Sequence, residues 1–160
     1  MAENIPLSPQ EEQLVRQLGR LVHGLPRFLE EDMTRTAGIA MTDFAVLIVL
    51  TETPGQRLRM ADLAECVGLT PSRITRVVDG LRTQGLVTKD RDPDDARSNV
   101  TTLTATGRAA ADQAHPHYVA SVRTRILAHI PPESMPATLE AVSRAADALL
   151  SNDGPRKHPG

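Results

Sequence analysis

The chain has 160 residues, 40% of them hydrophobic, with 18 Lys plus Arg against 20 Asp plus Glu and a single cysteine. That is enough apolar material for a packed core and too much for an intrinsically disordered chain. One thiol excludes an intrachain disulfide and favours a reducing compartment, and the slightly acidic balance gives no bulk attraction to polyanions. The length fits one domain, or one compact domain with an appended oligomerisation arm. Aromatics are confined to Phe28, Phe44 and Tyr118, with no Trp, so the core is aliphatic and points to packed helices. The longest apolar run, "FAVLIVL" at 44 to 50, is far short of the ~18–20 residues of a membrane span. The opening "MAENIPLSPQEEQ" is acidic and polar, unlike a signal peptide, so a cytoplasmic protein without a membrane partner is expected, and "NVT" at 99 to 101 is a chance glycosylation match.

In chain order, Ser8 and Pro9 are suited to cap and start a helix, with Glu11 at the capping-box position. Leu14, Leu18, Leu21, Leu25 and Phe28 then form one long apolar stripe. Pro26 should kink this helix unless it restarts there. Gly38 ends it, and Thr42 is the expected cap of a second helix running to about Thr53, stopped by Pro54-Gly55. "QRLRM" at 56 to 60 reads as a short strand. "MADLAECVGL" at 60 to 69 reads as a short helix with Leu63, Ala64 and Val67 inward and Gly68 at its end.

The next stretch, "LTPSRITRVVDGLRTQGLV", is the most informative in the chain. Thr70 is a good N-cap and Pro71 suits the first helical position, while Leu69 and Ile74 match a hydrophobic staple. Gly85 suits the left-handed position after the helix, with Leu86 packing back on Leu81. Ile74, Val77, Val78 and Leu81 form the buried face. Ser72, Arg73, Thr75, Arg76 and Asp79 are left outward, concentrated in the first two turns. A buried back, a fixed start and a hydrogen-bonding front at the N-terminal end are what a recognition helix in the major groove requires. Arg73 and Arg76 are candidates for bidentate contacts to guanine, with Ser72 and Thr75 on phosphate or base edges. The preceding helix completes a helix-turn-helix. The competing reading is a solvated amphipathic helix that merely carries arginines.

"GLVTKDRDPDDARSNVTTLT" alternates β-branched and polar residues around a Pro/Asp-rich tip and reads as a β-hairpin, or wing. Lys89, Arg91 and Arg97 sit in or beside it. An Arg at the tip can enter a narrow minor groove, and Asp95 is placed to pair with Arg97 and hold it. The chain is then helical from Thr104 to about His129, broken at "IPPES", and helical again from about Glu133 to Leu150. The tail "SNDGPRKHPG" is expected to be disordered.

Together these residues resemble the MarR family of winged-helix transcriptional regulators. The family's wing pattern stands here as Asp95, Arg97, Leu103, Thr104 and Gly107. The recognition helix and the helix before it match as well, so that motifs cover residues 41 to 112 and the flanking helices match by arrangement. The resemblance implies a mostly α fold with a small β-hairpin wing, a winged helix-turn-helix domain flanked by N- and C-terminal dimerisation helices. Residues 1–38 and 113–152 would form the dimerisation region, 39–112 the DNA-binding domain with its wing at about 87–104, and 153–160 a disordered tail. It implies a homodimer on a palindromic operator of double-stranded DNA. Ser72, Arg73, Thr75, Arg76, Lys89, Arg91, Asp95 and Arg97 would form the DNA-binding set. It also implies, in many members, release of DNA by a small molecule.

An effector site would lie among the first helix, the second helix and the helix after the wing. His23, Arg27, Phe28 and Phe44 offer two apolar rings and two polar anchors for a small aromatic or carboxylated molecule; the alternative is that both Phe are plain core. The urate-responsive branch carries a pocket tryptophan, which this chain lacks. Oxidant-sensing relatives use a cysteine in the first helix, whereas Cys66 lies before the recognition helix, at what is expected to be a core position. His23, His115, His117, His129 and His158 show no metal-ligand spacing, and no catalytic constellation or phosphate loop appears, so no metal, cofactor or enzyme activity is expected. Segment 56 to 97 holds eight basic residues against seven acidic, a weak excess for phosphate neutralisation. That balance sustains a rival reading as a protein–protein interaction module; a thiol switch at Cys66 is a third.

Overall fold

Ser8 opens the first helix, α1 (Pro9–Ala37), with the expected capping box: Glu11 N–H donates to Ser8 Oγ at 3.3 Å and Ser8 N–H to Glu11 Oε2 at 2.7 Å. These bonds hold the Glu11 carboxyl below the usual carboxylate range. The computed structural model describes residues 5–92, 95 and 98–151. The helix does not restart at Pro26 but runs unbroken through it. Pro26 removes one backbone donor, and the turns on both sides of it continue the helix regardless.

The second helix, α2 (Met41–Glu52), is capped differently from expectation. Its N-cap is Ala40, which has no side-chain acceptor, and Thr42 lies inside the helix. Glu30 of α1 supplies the missing acceptor, taking the Met41 N–H at 2.8 Å on Oε2. A carboxylate from eleven residues upstream therefore satisfies a donor that the local sequence leaves open.

Strand β1 (Arg57–Arg59) leads into α3 (Met60–Val67), then α4 (Pro71–Thr83), β2 (Val87–Arg91), β3 (Asn99–Leu103) and α5 (Ala105–Arg125). The hairpin β2–β3 is antiparallel, pairing Val87 with Leu103 and Arg91 with Asn99. β1 joins its other side, Arg57 opposite Thr102 and Arg59 opposite Val100, giving a three-stranded sheet in the order β1-β3-β2. The core gathers Val46, Leu47 and Leu50 of α2, Leu63 and Ala64 of α3, and Ile74, Val78 and Leu81 of α4. Val87, Leu103 and Ala111 close it. Burial of such side chains is the main force holding the helix-turn-helix and sheet together. A smaller cluster joins Met33, Phe44 and Ala114, with the Phe44 and Tyr118 ring centroids 5.2 Å apart.

Thr104 and Gly107 explain their own positions. The Thr104 N–H donates to the Leu86 carbonyl at 3.1 Å, and its hydroxyl lies 2.8 Å from Gly85 O and 2.9 Å from Leu86 O. The same oxygen accepts the Gly107 N–H at 3.0 Å, capping α5. A side chain at Gly107 would run into the Leu86 carbonyl, so the first turn of α5 sits directly on the turn leaving α4.

The described chain divides into two compact units, up to Ser121 and from Val122. In the first, α1 and α5 meet at buried Asp32, which accepts Ser121 Oγ–H at 2.6 Å and Arg35 at 2.9 Å. In the second, the helical run expected to reach His129 ends at Arg125, and Leu127–His129 is a single 3-10 turn. A further 3-10 turn, Pro132–Ser134, precedes α6 (Met135–Ser151). The predicted disordered tail, 153–160, lies outside the described residues. Among the described residues, no single helix is long and apolar enough to cross a membrane.

Candidate nucleic-acid interface

The start of α4 is fixed as its sequence dictates. Thr70 Oγ1 accepts the Arg73 N–H at 3.4 Å, and Pro71 occupies the first turn. Its end is a complete Schellman arrangement: Leu86 N–H donates to Leu81 O at 3.0 Å and Gly85 N–H to Arg82 O at 2.9 Å, with Gly85 at φ 73°. Between these ends Ile74, Val78 and Leu81 are buried, and Leu69 and Leu86 pack on the same core. The helix cannot rotate about its axis without exposing that face.

Ser72, Arg73 and Arg76 are exposed on the opposite side. Among the described residues, neither Arg73 nor Arg76 has a side-chain hydrogen-bond or ion-pair partner. Two guanidinium groups thus project from the first two turns of a rigidly held helix, at its positive end. Thr75 is half-buried, and its hydroxyl donates to Pro71 O at 2.9 Å, leaving only acceptor capacity for an outside partner.

The wing residues divide. Lys89 is turned back on the protein: its Nζ lies 3.1 Å from Asp79 Oδ1 and its side chain is 19% exposed, so this ammonium braces the wing root against α4. Arg91 is exposed at the end of β2. Asp95 accepts Ser98 Oγ–H at 2.7 Å, within the loop, while its expected partner Arg97 lies outside the described residues. Arg59 makes a 2.6 Å ion pair with Asp92, a residue only 4% exposed. Nothing in the hairpin pattern announced that pair; the one local sign was an Arg at the N-cap of α3, where an acceptor is normal. Asp79 and Asp92 are each matched by a cation of the same domain, which leaves the excess of one positive charge in the segment as it was.

Among the described residues, those expected at an effector site do not gather into one cluster. Phe44 is 2% exposed in the core. Phe28 is exposed on α1, with the Arg27 guanidinium 5.0 Å above its ring, and Arg27 also lies 3.7 Å from Glu31. The His23 ring nitrogen Nδ1 is 2.7 Å from Gly19 O. Cys66, expected in the core, is exposed. Leu63 and Ala64 set the buried direction of α3, and Cys66 falls about 100° away from it. Among the described residues no group of three or more His, Cys, Asp or Glu could hold a metal ion.

A family model described as MarR family matches residues 33–98. An HTH-type transcriptional repressor of Mycobacterium tuberculosis, Rv2887, is 30% identical over 116 residues, 71% of this chain and 81% of that protein. Among solved structures, the MarR family transcriptional regulator Sco3205 from Streptomyces coelicolor, in complex with DNA, superposes with a TM-score of 0.85. It is 28% identical, over 93% of both chains. AbsC, a MarR family transcriptional regulator of the same organism, gives 0.83 at 28% identity, over 92% of this chain and 99% of that one. The sequence match spans the helix-turn-helix whose geometry is described above, and the structural match extends across the flanking helices. This chain belongs to the MarR family of DNA-binding, winged helix-turn-helix transcriptional regulators.

Proposed function

We propose that the protein is a repressor that binds a palindromic operator as a homodimer and is released by a small ligand. The observation that carries the DNA part is the pair Arg73 and Arg76, exposed on the first turns of a helix capped at both ends and without a side-chain partner among the described residues. Placed in a major groove, they read base edges, Ser72 and Thr75 support them on phosphate, and Arg91 and Arg97 approach the neighbouring backbone and minor groove. Lys89 contributes from the wing root, and Asp95 shapes the loop. In a two-fold dimer the recognition helices meet half-sites roughly 34–36 Å apart.

Support for the dimer comes from apolar surface that the single chain leaves uncovered. Leu14, Val15, Leu18, Leu21 and Val22 on α1, and Leu139 and Val142 on α6, are all exposed. Such stripes on long helices are what an isologous interface buries. For the effector, Arg27 and Phe28 pair a cation with an aromatic face one helical turn from His23, which suits a small aromatic or carboxylated molecule, and Phe44 would join them only if the ligand reaches the core. Such a ligand releases DNA only by favouring an arrangement of the two recognition helices that misfits the operator.

The test is fluorescence anisotropy on duplex DNA from upstream of the protein's own gene and on a scrambled duplex, at two salt concentrations. Tight, salt-dependent binding to the first duplex alone is expected. Arg73→Ala and Arg76→Ala each weaken it roughly 5- to 150-fold. Equal, weak binding to both duplexes, unchanged by these substitutions, would turn the arginine face over to a protein partner.

A further inference from the structure

Arg59 stands where a helix begins. It is the N-cap of α3 and makes no capping bond there. A guanidinium has no acceptor to offer the free N–H groups, and its charge lies at the positive end of the helix dipole. For α3 alone, Arg is a poor choice, so its value lies elsewhere. Its Nε donates to Asp92 Oδ2 at 2.6 Å across 33 residues of sequence.

Asp92 is the foot of the wing loop. It directly follows β2, its N–H donates to Ser98 O at 3.0 Å, and its carbonyl accepts the Asp95 N–H at 3.3 Å. Ser98 N–H in turn donates to Asp95 O at 2.9 Å. β1 and β2 flank β3 on opposite sides, so the ion pair ties the outer strands together across the middle one. Val100, the residue opposite both Arg59 and Asp90 in register, is 5% exposed, as expected if a side chain spans it. The hydrogen bond and charge of Asp92, and then the more distant charges of Asp95 and Asp62, hold the guanidinium more firmly protonated than an ordinary Arg. A cation so matched is poor bait for phosphate.

We propose that Arg59 is a positioning residue for DNA binding, acting through Asp92 to hold the foot of the wing in fixed relation to the start of the helix-turn-helix. It contacts no DNA itself. The inference rests on the reading that the wing lies on the minor groove flanking each recognition helix. It assigns a DNA-binding role to a pair of residues that both lie off the recognition helix.

The test uses the full-length protein on an operator selected by it from random duplexes. Affinity and hydroxyl-radical footprints are read for the native protein, Arg59→Gln, Asp92→Asn and the double variant. Each single change is expected to weaken binding about tenfold and erase the flanking minor-groove protection while sparing the central tracts, and the double variant is expected to bind like the singles. The sign for Asp92→Asn is decisive. If Arg59 touched phosphate directly, neutralising Asp92 would free it and tighten binding; that result, or flank protection intact in Arg59→Gln, overturns the proposal. Absent flank protection in the native protein overturns the wing reading itself. Arg59→Lys replaces Arg59→Gln if the latter fails to fold: it keeps the charge without the Nε donor, and is expected to lose flank protection too.

Discussion

Replacing Gly107 by Ala tests how closely α5 is seated on the turn that ends the recognition helix. The added methyl would collide with the Leu86 carbonyl oxygen and lie 2.9 Å from both Leu86 C and Leu103 Cδ1. Ordinary carbon–carbon contact begins at about 3.5 Å, so the neighbours must part by about 0.6 Å, and the carbonyl by more. The Leu103 methyl can swing aside. The Leu86 carbonyl cannot, because it accepts the Thr104 N–H at 3.1 Å and anchors the same turn. Overpacking typically costs about 1–3 kcal/mol, and weakening that backbone bond adds about 1 kcal/mol. A loss of about 3 kcal/mol lowers Tm by roughly 6–12 °C in a chain of this size. Gly80→Ala is the matched control: nothing lies within 4 Å of its added methyl, and in mid-helix it should stabilise by about 0.5–1 kcal/mol. Thermal melts of both variants at one protein concentration decide the matter, since dimerisation would shift Tm with concentration. If Gly107→Ala melted with the native protein, or moved upward with Gly80→Ala, the close approach of α5 to Leu86 would be refuted.

Three further outcomes are expected. Ser121→Ala leaves the buried Asp32 carboxylate without its 2.6 Å donor and should cost about 1–3 kcal/mol in denaturant unfolding, while Arg35→Ala, with the arginine side chain 68% exposed, should change little. Burial, and then the Glu30 charge, raise the Asp43 pKa above 3.8. The folded state therefore holds that proton more tightly than the unfolded chain, and ionisation at neutral pH opposes folding. Asp43→Asn should raise Tm at pH 7, with the gain shrinking as pH falls through the carboxylate range toward 3.8; a gain that grew in acid would contradict the assignment. Cys66 is exposed, so a thiol reagent should titrate it in the folded protein at the rate seen after unfolding, and Cys66→Ser should leave stability within about 0.5 kcal/mol. Protection of the thiol until unfolding would return Cys66 to the core.

The parts of this protein legible in the chain are those whose partners lie within a few residues. The Ser8–Glu11 capping box, the Thr70 cap, the left-handed Gly85 after α4 and the Ile74–Val78–Leu81 face all follow from bonds and periodicities spanning three to five positions, which the local order of residues determines. The exposed arginines of α4 were readable for the same reason, since fixing the buried face fixes its opposite. Local pattern misled where the deciding partner was distant. Ala40 leaves α2 uncapped until α1 brings Glu30 alongside. Lys89 meets Asp79, ten residues away, only once the hairpin folds back on α4. The pairing of β1 with β3, the Arg59–Asp92 tie and the Ser121–Asp32 bond, spanning 33 and 89 residues in the last two cases, exist only once the core has packed. A charged or polar side chain carries no mark of its partner in the sequence; burial of the apolar faces decides which groups meet, and those meetings decide which charges remain for DNA.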